Sequence, residues 1–281
     1  MAAAGTIGFD DLTTPGGRAS QVPGGSALYF TLAARGLCAV RPVAALGQDG
    51  SELLRLLEEA GIDPVGVESM AGPSYRWTAT HSEGGALESQ LQHLGVYEEW
   101  HPRVPEVCRS SEILFLGSMP PRVQLAVMGQ CSGADLVAID TMGDFIASDR
   151  ALLLELIKAA DIFFANRAEL EALLGGGAAI NRARSLLEAD RLRAVVVKEG
   201  PQGATLVTRL GHQLVPAAPV DPVVDPTGAG DALAGGMLGR LAQLRSSSEE
   251  ALRLGLAEGV RTAALAVSAF SVRGLLGPAR G

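Results

Sequence analysis

The stretch VVDPTGAGDALAGGMLG, residues 223–239, carries the strongest structural signal in this chain. A short β-branched run ends at Asp225, and a helix is predicted to begin soon after it. Between them lie three residues with little side-chain bulk: Gly228, Ala229 and Gly230. Small side chains leave backbone N–H groups accessible, and these amides and the positive end of a helix dipole both attract negative charge. The stretch therefore predicts an anion-binding turn that leads into a helix.

Asp231 falls in the first turn of that helix, beside the expected anion. A carboxylate in this place is positioned to accept the proton of a hydroxyl that attacks phosphorus, which is a general-base role. The alternative is structural, because aspartates near glycine-rich turns also cap helices. The stretch is not a Walker A loop, since no GK[ST] follows, and it lies too late in the chain for a Rossmann fingerprint. From these residues alone, both interpretations stay open.

Outside this stretch, β-rich runs alternate with amphipathic helical windows, which is typical of βα units on a mostly parallel sheet. The predicted strands cover residues 6–9, 40–45, 113–116, 136–139, 162–164 and 194–198. The predicted helices cover residues 51–60, 121–130, 150–159, 168–174, 229–244 and 249–268. The pattern predicts an α/β fold.

Two segments, residues 11–23 and 74–94, interrupt this alternation. They mix β-forming residues with Gly-Gly turns at residues 16–17 and 84–85, so each is predicted to form a hairpin. We expect the two hairpins to pair into a small antiparallel flap beside the main sheet. Two unrelated surface hairpins are the alternative.

Composition narrows the class of protein and of partner. Hydrophobic residues make up 47% of the 281 residues and charged residues 19%, which is enough apolar surface for a folded core. The net charge of −8, without a Lys/Arg block, argues against nucleic acid and membrane surfaces as partners. Three cysteines without CxxC spacing and the lack of a long apolar stretch favour a cytoplasmic protein.

Several stretches together resemble one enzyme family. DPTGAGD, residues 225–231, followed by ALAGG, resembles the C-terminal signature of the ribokinase-like (PfkB) family of sugar and nucleoside kinases. Further stretches resemble motifs of that family in the same order: GTIGFDD (5–11), PGGSALYFTLAARGL with VAALGQDG (23–37 and 43–50), FFANRAELEALLG (163–175) and VVVKEGPQGATLV (195–207). The resemblance covers roughly the whole chain and is closest to the ribokinase and adenosine kinase type.

The resemblance implies one α/β kinase domain over residues 1–281, a three-layer α/β/α sandwich with a mostly parallel central sheet. A small β lid would be inserted through residues 11–23 and 74–94. The implied reaction transfers the γ-phosphoryl group of ATP to a hydroxyl, preferably a primary one, of a sugar or nucleoside. ATP and Mg²⁺ are the implied cofactors, and a monovalent cation such as K⁺ is left open. A homodimer through the lid is the implied assembly, with a monomer as the alternative.

The resemblance also assigns roles to matching residues. Asp231 is the expected base, and its anion hole is formed by Gly228, Ala229 and Gly230. The expected substrate site consists of Asp10, Gly24, Gly25 and Tyr29. The expected nucleotide site consists of Asn166, Lys198, Gly200, Gly203, Thr227, Gly228 and Gly230. Glu169 is expected to act on the metal indirectly, through water.

Some of these residues have structural alternatives. Asp10 also suits a turn, and Asn166 with Glu169 three residues later is also the pattern of a helix capping box. Gly8 and Tyr29 stand where the family usually has Asn, which puts the substrate in doubt more than the chemistry. A non-catalytic sensor of a nucleotide or sugar is therefore the alternative function.

Other polar and aromatic residues receive a structural interpretation at this stage. Asp140 closes a predicted strand, and a turn role is preferred for it, with a position beside the phosphate site as the alternative. Tyr75 and Trp77 lie in a predicted hairpin, where aromatic residues usually support cross-strand packing; stacking on a base or sugar is the alternative. The four histidines lack metal-ligand spacing.

Overall fold

The computed structural model describes residues 1–82 and 85–277. The strands are β1 (Ala2–Ala4), β2 (Gly8–Thr14), β3 (Gly17–Gly24), β4 (Arg41–Leu46), β5 (Gly66–Ser69), β6 (Tyr75–His81), β7 (Leu87–His93), β8 (Ile113–Leu116), β9 (Leu136–Ile139), β10 (Ile162–Asn166), β11 (Ala194–Lys198), β12 (Ala204–Thr208) and β13 (Gly211–Val215). The α-helices are α1 (Ser26–Ala34), α2 (Ser51–Glu59), α3 (Glu106–Arg109), α4 (Pro121–Gln130), α5 (Gly143–Ser148), α6 (Arg150–Lys158), α7 (Arg167–Leu174), α8 (Ala179–Leu186), α9 (Ala229–Leu244) and α10 (Glu249–Ala266). Within these described ranges no helix combines the length and the apolar character needed to span a bilayer.

The main sheet has the strand order β13-β12-β11-β10-β9-β8-β1-β4-β5. From β11 to β5 all neighbouring strands run parallel, whereas β12 and β13 are antiparallel additions at one side. Parallel strands require crossover connections, which the intervening helices provide. The mostly parallel sheet is as predicted.

Helices cover both faces of this sheet because successive strand residues point to opposite sides. In β8, Leu114 and Leu116 pack into the core beneath α4, α6, α7 and α8. Phe115 points the other way, into the core beneath α1, α9 and α10. There Phe30 of α1 stacks on Phe115 with 4.0 Å between ring centroids. The predicted three-layer α/β/α architecture is confirmed.

The second, smaller sheet, here called the flap, comprises β2, β3, β6 and β7 in the order β3-β2-β6-β7. The pairs β2/β3 and β6/β7 are antiparallel hairpins, as predicted. The central pair, β2 and β6, runs parallel, so the prediction of a wholly antiparallel flap is wrong there. The reason is that α1, β4 and α2 lie between the two hairpins and return the chain in the same direction. The turn predicted at residues 16–17 lies at the β2/β3 junction, whereas Gly84 lies outside the described residues.

The prediction for the first main-sheet strand was also wrong. Its position is held by β1, whose three alanines are fully buried between β4 and β8. Alanine is a weak strand former, so the pattern favoured the more β-prone residues that follow. Residues 5–7 lead out of the sheet into β2. Asp10 therefore lies in the flap and not at the end of a main-sheet strand.

Candidate active site

The stretch that precedes α9 is held in place by a fully buried carboxylate. Asp225 accepts the backbone N–H of Thr227 on Oδ1 at 3.0 Å and that of Ser271 on Oδ2 at 2.9 Å. The flap also contacts this stretch, since the Thr14 hydroxyl donates to the carbonyl oxygen of Val224 at 2.9 Å. The turn is therefore fixed both to the C-terminal segment and to the flap.

The turn itself has the accessible amides that the sequence predicts, with one exception. Gly228 is the N-cap of α9 and has φ +70°, a conformation that favours glycine. The N–H of Ala229 donates to the carbonyl oxygen of Pro226 at 3.3 Å. Among the described residues, the N–H groups of Gly228, Gly230 and Asp231 have no backbone acceptor. The Asp231 N–H interacts with its own carboxylate, so the amides of Gly228 and Gly230 remain to meet an anion at the helix N-terminus.

Asp231 lies half-buried in the first turn of α9, beside those amides. Burial raises the pKa of Asp231 to about 7; the nearby Asp140 carboxylate adds to this rise and Lys198 opposes it. A carboxylate with a pKa near neutrality is well matched to accept a proton at physiological pH.

Lys198, at the end of β11, stands at the centre of a group of carboxylates. Its Nζ lies 2.8 Å from Oδ1 and 2.9 Å from Oδ2 of Asp140, and 3.8 Å from Oε2 of Glu169. Burial alone would lower the pKa of Lys198, but these two carboxylates raise it above its usual range. A Cβ placed on Gly230 would lie 3.2 Å from the same Nζ, so the ammonium group borders the anion-binding turn.

Asn166 and Glu169 form the capping box that the sequence offered as an alternative. Oδ1 of Asn166 accepts the N–H of Glu169 at 2.9 Å, and Oε2 of Glu169 accepts the N–H of Asn166 at 2.7 Å. Glu169 also faces Lys198, and burial raises its pKa to about 7. The pair therefore caps α7 and joins the carboxylate group at once.

The expected substrate carboxylate is buried beneath the flap. Asp10 is only 2% exposed, and a Cβ at Gly24 would overlap its carboxylate, so the side chain occupies space that glycine leaves free. Gly25 has φ +99° and is the N-cap of α1. Burial raises the pKa of Asp10 well above its usual range, and the charges of Asp225 and Asp231 add to the rise. Asp10 thus faces the anion-binding turn from the flap.

The two departures from the family pattern have packing consequences. A side chain at Gly8 would overlap the carbonyl oxygen of Tyr75, so this position has no room for Asn. Tyr29 is fully buried, and its ring lies so close to Gly228 that a Cβ there would overlap it. The tyrosine ring therefore packs directly against the anion-binding turn at Gly228.

The remaining residues predicted to bind the nucleotide differ in their burial and packing. Gly200 is exposed with φ +56° and open space around it. Gly203 has φ +103°, and a Cβ there would overlap the carbonyl oxygen of Val215, so strand packing accounts for this glycine. Thr227 is buried, and its hydroxyl lies 3.3 Å from Nε2 of His81 in the flap.

The pairing of Asp140 with Lys198 is the contact that sequence reasoning missed. Oδ1 of Asp140 accepts the N–H of Thr141 at 2.8 Å, as the preferred turn role predicts, and the same carboxylate also pairs with Lys198. Asp140 follows β9, and Lys198 ends β11, with β10 between them. The carboxyl ends of neighbouring parallel strands meet at one edge, so knowledge of strand order was the signal that was lacking.

Comparison with known proteins agrees with this geometry. The pfkB family carbohydrate kinase profile matches residues 3–276. A cytidine kinase from Thermococcus kodakarensis is 31% identical over 261 residues, which cover 90% of this chain and 91% of the relative. An ATP-dependent ribose-1-phosphate kinase from Halopiger xanaduensis is 31% identical over 245 residues, covering 83% and 79%.

Solved structures share the fold. The nucleoside kinase of Burkholderia thailandensis in complex with inosine has a TM-score of 0.77 at 22% identity, covering 96% of this chain and 91% of that one. Ribokinase from Thermotoga maritima has a TM-score of 0.76 at 23% identity, covering 98% and 94%. Since the family profile spans nearly the whole chain and the kinase relatives align along most of their length, the protein belongs to the pfkB family of carbohydrate kinases and is a nucleoside or sugar kinase.

Proposed function

We propose that this kinase transfers the γ-phosphoryl group of ATP to a primary hydroxyl of a nucleoside or sugar, with Asp231 as the general base. The observation that carries the proposal is the position of Asp231, which combines a pKa of about 7 with free amides and the Lys198 ammonium group around it. A relative that is named ATP-dependent supports ATP as the phosphoryl donor.

In the proposed reaction, Asp231 accepts the proton of the acceptor hydroxyl. The acceptor oxygen forms a bond to the γ-phosphorus, and the bond from that phosphorus to the β,γ-bridging oxygen breaks, which releases ADP. The free N–H groups of Gly228 and Gly230 donate to the oxygens on which negative charge accumulates. Lys198, next to Gly230, adds positive charge at the same place.

Asp10 is proposed to bind substrate hydroxyls, because an unpaired buried carboxylate oxygen accepts such donors well. Gly24 and Gly25 leave room at this point and form the junction between the flap and α1. Flap closure over the site would exclude water and limit the hydrolysis of ATP.

The side chains around Lys198 suit Mg²⁺ held through water. Asp140 and Glu169 offer the carboxylate oxygens that this ion prefers, while the described residues contain no group of three ligands that would cage a metal directly. Mg²⁺ commonly keeps several waters and binds through substrate phosphates, which agrees with the indirect role proposed for Glu169. The ion would neutralise phosphate charge when bound.

The proposed nucleotide contacts are Asn166, Gly200, Gly203 and Thr227. We also propose that the flap acts as a lid, that the chain forms a single domain and that the protein is cytoplasmic. A homodimer would form through the free edges of the flap, strands β3 and β7. Sedimentation of the full chain distinguishes dimer from monomer. Rates in K⁺ and Na⁺ buffers test the monovalent cation.

The proposed function is tested by incubating the full chain with MgATP and a panel of nucleosides and free sugars. We expect ADP to form only when an acceptor is present, together with one phosphorylated product that mass spectrometry identifies. Saturable binding of acceptors without any ADP would contradict the proposal and support the sensor alternative. Acceptor-independent ADP formation alone would contradict it as well.

A further inference from the structure

Three buried polar atoms of the flap have no hydrogen-bond partner among the residues that the structure describes: Oδ1 of Asp10, Nε1 of Trp77 and Nδ1 of His81. The first two lie on neighbouring strands. The parallel strands β2 and β6 place these two residues directly beside each other in register. Registered neighbours on adjacent strands, about 4.8 Å apart, present their side chains on the same face of a sheet. A hydrogen-bond acceptor and a donor therefore lie side by side on the face that Asp10 turns toward the anion-binding turn.

The next residue in this row differs from these two, because its polar atoms have partners. Gln92 of β7 is in register with Trp77 on its other side, but its amide is already engaged. Its Nε2 donates to Oδ2 of Asp144 at 3.0 Å, and its Oε1 lies 3.4 Å from the hydroxyl of Tyr75. Buried polar groups of native proteins nearly always have partners. The unpaired atoms of Asp10 and Trp77 are therefore best explained as groups that meet a ligand.

The chemistry of the pair restricts that ligand. An indole N–H donates only, so Trp77 requires an acceptor, and its ring offers a flat surface on which a nucleobase stacks. The carboxylate of Asp10 accepts, so it requires hydroxyl or amine donors. A free sugar has hydroxyl groups but no flat aromatic part. A nucleoside places ribose hydroxyls next to a base that has carbonyl or ring-nitrogen acceptors.

We propose that Trp77 reads the base, so that the acceptor of this kinase is a nucleoside and not a free sugar. This inference rests on the proposed function and names the substrate class of the same site. Trp77 donates to an acceptor atom of the base while Asp10 accepts from the ribose hydroxyls. Trp77 does not touch the transferred phosphoryl group, so it determines specificity and leaves the chemical step unchanged.

Steady-state kinetics of Trp77→Phe test the proposal, because this variant keeps an aromatic ring and removes the N–H. With cytidine, uridine and inosine as probes, we expect KM to rise about tenfold for at least one nucleoside while kcat stays within about twofold. Free ribose should show no change. Trp77→Leu, which also removes the stacking surface, should raise KM further. Thr78→Val is the matched control, because Thr78 is exposed on the opposite face of the same strand.

Intrinsic fluorescence provides a readout without turnover. The chain has two tryptophans, and the other, Trp100, is 1% exposed and donates to Oε1 of Glu68 at 3.0 Å. Adding nucleoside without ATP should change the emission of the wild-type chain, and Trp77→Phe should abolish that change.

Two results would overturn the proposal: an unchanged nucleoside KM in both Trp77 variants, or a wild-type kcat/KM for ribose that equals or exceeds the values for nucleosides. Failure of the proposed function looks different, since then the wild-type chain forms no phosphorylated product from any acceptor. In that case the fluorescence titration still decides whether Trp77 contacts a nucleoside.

Discussion

The carboxyl edge of the main sheet and the inner face of the flap both bury polar groups, but they satisfy them in opposite ways. At the edge, the Lys198 ammonium group pairs with Asp140 and faces Glu169, so these charged groups find their partners within the protein. In the flap, the Asp10 and Trp77 atoms described above have no partner among the described residues. The edge is thus organised before any ligand arrives, whereas we propose that a ligand completes the flap. Variants at the edge should therefore change rates, and variants in the flap should change substrate affinity.

The largest effect expected within this comparison comes from Lys198→Met. Removing the ammonium group leaves two buried carboxylates without their cation, which should cost about 3–5 kcal/mol of unfolding free energy. The loss of positive charge beside the anion-binding turn should lower kcat by ~10²–10³. Urea unfolding and steady-state kinetics measure the two effects.

The chain supplies a matched control, since its only other lysine is Lys158. That residue forms an exposed ion pair with Glu155, so Lys158→Met should change stability by less than about 0.5 kcal/mol. Lys198→Met/Asp140→Asn should regain part of the stability but not the rate. A Lys198→Met enzyme with kcat within about threefold of wild type would show that the charge balance is only structural.

Gly228→Ala should have the next largest effect. The positive φ and the overlap of the new methyl group with the Tyr29 ring should cost about 1–3 kcal/mol and displace the amides of the turn. We expect kcat to fall at least about tenfold. Gly129→Ala in α4, where a Cβ meets no neighbour within 4 Å, is the control and should be neutral or slightly stabilising. Equal activity in the two variants would contradict the role of the turn.

The pH dependence sharpens the comparison further. A base must be ionised to act, so kcat/KM should rise about tenfold per pH unit below about 7 and level off above it, following the raised pKa of Asp231.

The raised pKa of Asp231 also has a consequence for the pH dependence of stability. Because the pKa in the folded state lies above its ordinary value, this carboxyl group stabilises the fold at acid pH and loses that contribution as pH rises through about 7. Asp231→Asn should therefore be at least as stable as wild type at pH 7.5.

His81→Gln should have the smallest effect, because it removes one contact between the flap and the anion-binding turn. The His81 ring nitrogen lies 3.3 Å from the Thr227 hydroxyl, and a single such hydrogen bond contributes about 0.5–1.5 kcal/mol. We expect kcat/KM to fall about two- to fivefold. Burial lowers the pKa of His81, so its ring is neutral at neutral pH. His93→Gln, an exposed residue of β7, should leave kcat/KM unchanged.

The two regions also differ in how far the sequence predicts them. The anion-binding turn was predictable because Asp225, Gly228 and Asp231 lie close together in one short stretch of sequence. Their spacing can therefore be read without knowledge of the fold. Strands β8, β9 and β11 match their predicted bounds because each is a short apolar run. Helices α4 and α9 match theirs because Pro121 and Gly228 mark where they begin. The short alanine strand β1 lacks that signal.

What the sequence does not predict is contact between distant segments. Asp140 and Lys198 are 58 residues apart, and only the strand order brings them together. The Asp10–Trp77 pair depends on a parallel join between two hairpins, for which neither hairpin carries a local signal. The capping box of Asn166 and Glu169 was predictable, but its second contact with Lys198 was not.

Turnover by Asp231→Asn at saturating MgATP and acceptor tests the central claim most directly. The substitution keeps the size of the side chain and removes the proton acceptor. We predict a fall in kcat of ~10²–10⁴, with acceptor binding, followed by Trp77 fluorescence, and folding both retained. A kcat within about threefold of wild type would contradict the account, because a different group would then accept the proton.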